Sequence, residues 1–148
     1  MNRVFLSLVL VLFFSVVQAR TFNILELGAD ATGKQLCTEL INKSIEQAAN
    51  EGGGTLYFPA GEYLTGAIHL KSNITLHIET GAKINFSDHF EDYLPFVDLR
   101  WEGTFMKSLS PLIYAKGEKN IVIKGGGIID GKGHKWLYAA LRLATLLK

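Results

Sequence analysis

The sequence predicts an all-β fold that follows a single helix, and the arrangement it favours is a parallel β-helix. Short β-rich runs, each closed by turn residues, succeed one another after residue 54. No Asn-Gly or Asp-Gly pair separates two runs at the two-residue spacing of a tight hairpin, so strands that keep turning one way fit better than hairpins. Periodicity alone fits a β-sandwich almost as well. The runs span residues 55–58, 67–70, 74–78, 83–86, 112–115, 121–124 and 127–129.

The segment before these runs predicts a strand, a turn and then a helix. Residues 20–27 are expected to be extended, with Phe22, Ile24 and Leu27 on one face, and residues 28–33 to turn. Thr38 is a predicted N-cap, and the glycines at 52–54 are predicted to end the helix. Because the first coil of a β-helix exposes its apolar end, we expect this helix to cap it. Its apolar stripe consists of Leu40, Ile41, Ile45, Ala48 and Ala49.

Residues 88–110 interrupt the rhythm of short strands and are predicted to form a long inserted loop. Loops of this length in compact domains are usually functional or disordered. The aromatic content of the segment argues against disorder. Its aromatic residues are Phe90, Tyr93, Phe96, Trp101 and Phe105.

The first 19 residues have the pattern of a secretory signal peptide. A basic start containing Arg3 precedes an apolar run over 4–17, and Ala19 closes a cleavage-site pattern. The run is shorter than the ~20 residues that span a bilayer. We therefore expect cleavage after Ala19 and a secreted or periplasmic protein. The predicted division is a signal peptide over 1–19, β-helix coils over 20–136 and a divergent tail over 137–148.

Charge and cysteine content exclude several classes of protein. Without Arg3, the 15 basic residues fall to 14, which equals the 14 acidic ones. A neutral domain lacks the basic surface that nucleic acid requires, so no nucleic-acid partner is predicted. Cys37 is the only cysteine, so a disulfide scaffold is excluded. No second apolar run is long enough to predict a membrane contact after removal of the signal.

Several segments, taken in order, resemble a known family. They are Phe22-Asn23-Ile24, residues 52–66, 70–76 and 81–84, Arg100-Trp101-Glu102-Gly103, and residues 111–115 and 128–136. Together they resemble the N-terminal portion of glycoside hydrolase family 28, the polygalacturonases of the pectin lyase-like superfamily. The resemblance implies a right-handed parallel β-helix, inverting hydrolysis of α-linked galacturonate, a pectin partner and no cofactor.

The catalytic motifs that the family would supply are absent from these 148 residues. Inversion requires two carboxyl groups roughly 6.5–9.5 Å apart. The family provides its catalytic groups through Asn-Thr-Asp, Asp-Asp, Gly-His-Gly and Arg-Ile-Lys motifs, and none occurs here. We therefore assign no catalytic residue. The tail over 137–148 departs from the family and has no acidic residue, as a truncated or frameshifted gene would produce.

Arg100, Trp101 and Glu102 are the candidate substrate-binding residues. An aromatic face can stack on a sugar ring, and an arginine can bind a carboxylate through two hydrogen bonds. The alternative is that Trp101 packs the insertion onto the coil. A catalytic pair could also be drawn from the acidic residues of the insertion, but a solvated loop is the favoured interpretation. These are Asp88, Glu91, Asp92 and Glu102.

Two other patterns carry no cofactor or metal prediction. Gly126, Gly131 and Lys132 fit the spacing of a phosphate loop, but Gly133 stands where Ser or Thr is needed, so tight corners are the favoured interpretation. The histidines lack metal-ligand spacing, and the first two are predicted to face solvent. They are His69, His77, His89 and His134.

Three functions remain open from the sequence. One is part of a polygalacturonate hydrolase, the second is a non-catalytic carbohydrate-binding β-helix, and the third is a related pectate lyase or depolymerase. A lyase would need basic residues, and often calcium-binding carboxylates, on one face of a later coil. Such a cluster is not visible in this sequence.

Overall fold

The structure, a computed structural model, describes residues 20–136. They form a right-handed parallel β-helix with an α-helix at its start, as predicted. Strands of successive coils pair in parallel, which excludes the β-sandwich. The predicted signal peptide and the predicted tail lie outside the described residues, and the proposed domain limits stay predictions.

The first sheet runs the length of the described chain. Its strands pair in the order β1, β3, β6 and β11. Gly54 pairs with Ile74 and Phe58 with Ile78, so each strand lies directly above its counterpart in the coil before. The strands are β1 (Arg20–Asn23), β3 (Gly54–Phe58), β6 (Ile74–Ile78) and β11 (Val122–Lys124).

The second and third sheets complete each coil. The second pairs in the order β2, β4, β7 and β12, and the third contains β5 and β10. All of these pairings are parallel. The strands are β2 (Thr32–Leu36), β4 (Gly61–Thr65), β7 (Ala82–Phe86), β12 (Ile128–Asp130), β5 (Ile68–His69) and β10 (Ile113–Tyr114).

The core lies inside the coils, where alternate residues of each strand stack on those of the next coil. Phe22, Leu56 and Leu76 form one inward column, and Tyr63 and Ile84 belong to another. All five side chains are buried. Side chains of a strand alternate between its two faces, so every second residue reaches the core.

Helix α1 (Thr38–Asn50) covers the start of the coil, as predicted. Ile41, Ile45 and Ala48 are fully buried against the core. The N-cap is Cys37, however, and Thr38 is the first helical residue. The Thr38 hydroxyl accepts a hydrogen bond of 2.6 Å from the Gly66 backbone N–H, so it ties the helix to the coil and caps nothing.

Strands β2 and β4 of the coils were not predicted from the sequence, and strand β1 is shorter than expected. Strand β2 includes Gly33, the last residue of the segment expected to turn, and strand β4 begins at Gly61, between two predicted runs. The β2 side chains are largely exposed, so no apolar alternation marks this strand. At the start of the chain, β1 ends at Asn23, and Leu27 is exposed and does not join the core face.

The last described coil leaves its end uncovered. Ile123 is 45% exposed and Ile129 is 41% exposed, although their register partners Leu76 and Ile84 are buried. A glycine corner joins the two strands. A Cβ at Gly125 would collide with the backbone of Ile78. The glycines here are therefore corners of the coil, as the sequence analysis favoured over a phosphate loop.

Candidate functional site

The insertion at residues 88–110 was predicted to be a long inserted loop, and in the structure it consists of a 3-10 turn followed by a hairpin. The 3-10 helix spans Phe90–Tyr93, and the antiparallel strands are β8 (Val97–Trp101) and β9 (Thr104–Ser108). Glu102 and Gly103 make the turn, with φ of +46° and +89°. Positive φ at both central positions is typical of a tight hairpin turn. The turn does not contain the Asn-Gly or Asp-Gly pair that predicts a tight hairpin, because its first central residue is Glu102.

Tyr93 anchors the insertion in the core. It is 1% exposed, and its hydroxyl donates a hydrogen bond of 2.6 Å to the Ser87 carbonyl. Burial raises the pKa of Tyr93 to about 12. The Trp136 ring stands edge-on to Phe90 and Tyr93, at centroid distances of 4.9 and 5.2 Å. The base of the hairpin is therefore fixed by aromatic packing.

The acidic residues at the base of the insertion have structural partners. Asp88 forms an ion pair with Lys135, and its Oδ1 lies 3.7 Å from His89 Nε2. The Asp92 carboxylate accepts a short hydrogen bond from the Ser87 hydroxyl, and its backbone carbonyl accepts one from Ala67. These contacts hold the insertion on the coil. They support the interpretation of a structural, partly solvated loop over a catalytic pair.

The predicted trio Arg100, Trp101 and Glu102 does not converge on one point. Arg100 and Trp101 are neighbours on β8, so their side chains leave opposite faces of the hairpin. Trp101 is 66% exposed, which contradicts the alternative that it packs the insertion onto the coil. Glu102 is exposed in the turn. The hairpin thus presents an aromatic side chain on one face and a cation on the other.

A groove of about 390 Å³ separates the Arg100 face of the hairpin from β10. Arg100 lies over the ring of its cross-strand partner Phe105, with Cζ 5.6 Å from the ring centroid. Lys116 Nζ is 3.2 Å from Asp98 Oδ2, and the Tyr114 hydroxyl donates to the Asp98 carbonyl at 3.2 Å. We call these five residues the hairpin groove.

The sequence analysis found only Arg100 of the hairpin groove. Phe105 was noted as one aromatic residue of the insertion, and Tyr114 and Lys116 belong to the next coil. Pairing of β8 with β9 and of β10 with β5 brings them together. No spacing rule connects these positions, so the sequence carries no signal that could have found the groove.

A second cluster of charges lies on the outer face of the second sheet. Asp130 Oδ2 is 3.1 Å from Lys83 Nζ and 3.1 Å from Lys132 Nζ. The hydrogen bonds from the Lys132 backbone, the Lys132 side chain and Lys83 hold the pKa of Asp130 well below its usual range. Asp130 is therefore ionised at neutral pH and is unsuited to donate a proton to a leaving group.

His69 is partly covered, in contrast to the prediction that it faces solvent. Its Nε2 is 3.1 Å from Ser110 Oγ, and its ring lies 5.4 Å from that of Tyr114. The prediction was wrong because the insertion and the next coil close over β5. Burial, and to a smaller extent Lys71, lowers the pKa of His69. His77 lies beside Tyr57 on the outer face of the first sheet.

We expect the stability of the chain to fall as the pH drops below about 6.5, the usual pKa of histidine. His69 has a lower pKa in the folded state, so the unfolded state binds more protons in this range and protonation favours unfolding. Urea unfolding midpoints between pH 7.5 and 5 should show this loss, and His69→Gln should reduce it. His89→Gln is the control, because the His89 side chain is 76% exposed. An identical pH dependence in His69→Gln would contradict the assignment.

Within residues 20–136, no three His, Cys, Asp or Glu side chains lie close enough to hold a metal ion. The same part of the chain contains no helix with the length and apolar character needed to cross a bilayer.

Comparison with known proteins gives matches over most of the described chain. Residues 21–87 match the sequence model of a family described as "Rhamnogalacturonase A/epimerase, pectate lyase-like". The exo-poly-alpha-D-galacturonosidase of Dickeya chrysanthemi is 35% identical over 123 residues, which cover 78% of this chain and 20% of that protein. A probable polygalacturonase of Vitis vinifera is 27% identical over 127 residues, which cover 80% of this chain and 26% of that protein.

A solved structure agrees with these sequence matches. The hyperthermoactive exopolygalacturonase of Thermotoga maritima superposes with a TM-score of 0.72 at 43% identity, over 77% of this chain and 26% of that one. The chain spans about a fifth to a quarter of the length of the Dickeya and Vitis relatives.

Proposed function

We propose that this chain, which resembles part of the polygalacturonases of glycoside hydrolase family 28, supplies the first coils of a secreted enzyme that hydrolyses pectin. The observation that carries the proposal is the likeness to the Thermotoga exopolygalacturonase, which holds in both sequence and fold. The charged and aromatic side chains of the hairpin add a surface suited to an acidic polysaccharide.

The proposed role of the described coils is to position substrate. Inverting hydrolysis needs a protonated acid and a separate base on opposite sides of the sugar. Asp88, Asp92 and Asp130 are held in ion pairs or hydrogen bonds. Within residues 20–136 the side chains proposed to contact the polysaccharide are therefore Arg100 and Trp101 on the hairpin strand and Glu102 at its tip.

The chain as it stands is expected to release no reducing ends from polygalacturonate. A chimera in which residues 20–136 replace the matching segment of the Thermotoga enzyme is expected to be active, because the two segments share one fold. Misplacing a catalytic group by ~1 Å costs about 100-fold, so retention of about 1% of the parent activity or more is the expected result. The assay is release of reducing ends from polygalacturonate.

The control for the chimera is the Thermotoga remainder without any first coils, which should be inactive. A well-folded chimera with no hydrolysis would contradict the proposal, and so would release of reducing ends by the present chain alone. Expression of the chimera behind residues 1–19 tests secretion in the same experiment. The exported protein should begin at Arg20, and activity that stays inside the cells would contradict the signal peptide.

A lyase remains a second candidate, because the matching family description includes the words "pectate lyase-like". Elimination leaves an unsaturated uronate that absorbs in the ultraviolet, whereas hydrolysis does not. The chimera cannot settle this point because its later coils come from a hydrolase. Any longer gene product that carries this chain, assayed for ultraviolet absorbance and reducing ends together, distinguishes the lyase from the hydrolase and from a non-catalytic binding protein.

A further inference from the structure

We propose that the hairpin groove is a binding site for the carboxylate of an acidic sugar unit, separate from the exposed face of Trp101. This inference rests on the proposed function for its ligand class. Its residues are brought together by the fold and were not predicted as a group. The site contains Arg100 above the ring of Phe105. Hydrogen bonds that join Asp98 to Tyr114 and Lys116 hold the groove open, and Lys116 is a second cation at its edge.

Arg100 is the group that would hold the carboxylate. Its Nε donates to the Gly103 carbonyl at 3.4 Å, at the long limit of a hydrogen bond. Within residues 20–136 no carboxylate lies within ion-pairing distance of its guanidinium. A guanidinium binds a carboxylate through two parallel hydrogen bonds when its terminal nitrogens are free to donate. Arg100 therefore has unused donors at the mouth of the groove.

Phe105 lies beside that guanidinium and offers an apolar surface next to it. The ring lies 5.6 Å from Arg100 Cζ, within range of a cation–π contact. Phe105 is 82% exposed. Exposure of so large an apolar ring does not stabilise the folded chain, so the ring is available to a ligand. A sugar whose carboxylate meets Arg100 would lay its apolar C–H face on this ring, as sugars do on aromatic side chains.

The clamp consists of Asp98, Tyr114 and Lys116. Asp98 accepts from Lys116 through its carboxylate and from the Tyr114 hydroxyl through its backbone carbonyl, each at 3.2 Å. These bonds join the hairpin to the coil and set the width of the groove. Lys107, the cross-strand partner of Asp98, stands at the same face. The three cations of this face outnumber its one carboxylate, so the groove attracts anions.

Binding of tri-galacturonate to the whole chain tests the proposal, with the uncharged galactose trimer as the matched ligand. Measurement at nanomolar protein, by intrinsic tryptophan fluorescence, avoids association of the chain. We expect tri-galacturonate to bind at least about tenfold more tightly than the galactose trimer, since charged hydrogen bonds to a carboxylate would be lost. Equal affinity for the two trimers would overturn the proposal without any variant.

Variants then locate the site. Arg100→Gln is expected to weaken tri-galacturonate binding at least about fivefold and to leave the weak binding of the galactose trimer unchanged. Lys34→Gln removes the same charge from an exposed position on β2 and is the control. Equal losses in the two variants would mean that net charge alone drives binding, which contradicts a defined site. If the chimera is inactive but the chain still binds tri-galacturonate in a way that depends on Arg100, the proposed hydrolase function is rejected and the proposed carboxylate site in the hairpin groove is supported.

Discussion

Replacing Gly53 by alanine is expected to destabilise the first coils strongly. Gly53 lies between α1 and β3 with φ of +119°, and a Cβ there would come within 2.5 Å of Asn73 Cβ and 2.6 Å of the Asn73 carbonyl oxygen. Relief would require movement of Asn73, whose carbonyl accepts the Gly54 N–H at 3.0 Å. Backbone strain of about 1–2 kcal/mol adds to an overpacking cost of about 1–3 kcal/mol. The free energy of unfolding should fall by about 3 kcal/mol.

Gly52→Ala is the matched control for this substitution. Gly52 also has a positive φ, of +97°, but a Cβ there would meet nothing within 4 Å. Its cost should be the backbone strain alone, about 1–2 kcal/mol. Urea unfolding followed by circular dichroism measures both variants. Equal loss of stability in Gly53→Ala and Gly52→Ala would show that Asn73 moves away from the new Cβ at no cost in free energy. The explanation by close approach would then be wrong.

The isolated chain is expected to associate at micromolar concentration through the uncovered end of its last described coil. Ile123 and Ile129 continue the inward columns of Leu76 and Ile84, yet both are more than 40% exposed. Within residues 20–136, strands β11 and β12 each pair with one strand, and the other edge of each has no partner in that part of the chain, so it can pair with another chain. Sedimentation velocity should show oligomers or aggregate, together with low stability to heat.

The double variant Ile123→Lys and Ile129→Lys is expected to shift the chain towards monomer, because inward-pointing charges at an open edge oppose pairing with another strand. Ile128→Lys is the control. Ile128 lies beside Ile129 but in the outward column of Lys83 and Glu62, so its replacement should leave the association unchanged. A monodisperse wild-type monomer with a cooperative thermal transition would mean that the end is covered and that the chain folds as a complete domain.

The elements predicted correctly from sequence are those whose side chains alternate or recur within one short segment. Helix α1 was found because Ile41, Ile45 and Ala48 recur at helical spacing and are all buried. Strand β6 was predicted with the same limits as a β-rich run closed by turn residues, and in the structure Ile74, Leu76 and Ile78 are buried while Thr75 and His77 between them are half-buried. In both elements the apolar residues of the sequence are the residues buried in the structure, so a short stretch of sequence is enough to predict the element.

Other elements carry no such local pattern. Strand β2 is mostly exposed and is held by backbone pairing to β4, and the turn of the hairpin is formed by Glu102 rather than by a favoured turn residue. His69 becomes covered only because Ser110 and Tyr114 close over it. Strand β2 and the cover of His69 depend on partners in another coil, and the sequence does not state which distant residue will lie beside which.

By itself, the sequence determined the coil architecture, the position of the helical cap and the family resemblance, because each rests on residues close together along the chain. It also singled out Arg100, Trp101 and Glu102 as one group. Only the tertiary structure decided that Arg100 and Trp101 point to opposite faces of a hairpin and that Arg100 shares a groove with Lys116. The physical reason is that strand pairing alternates side-chain direction at each residue and joins segments from different coils.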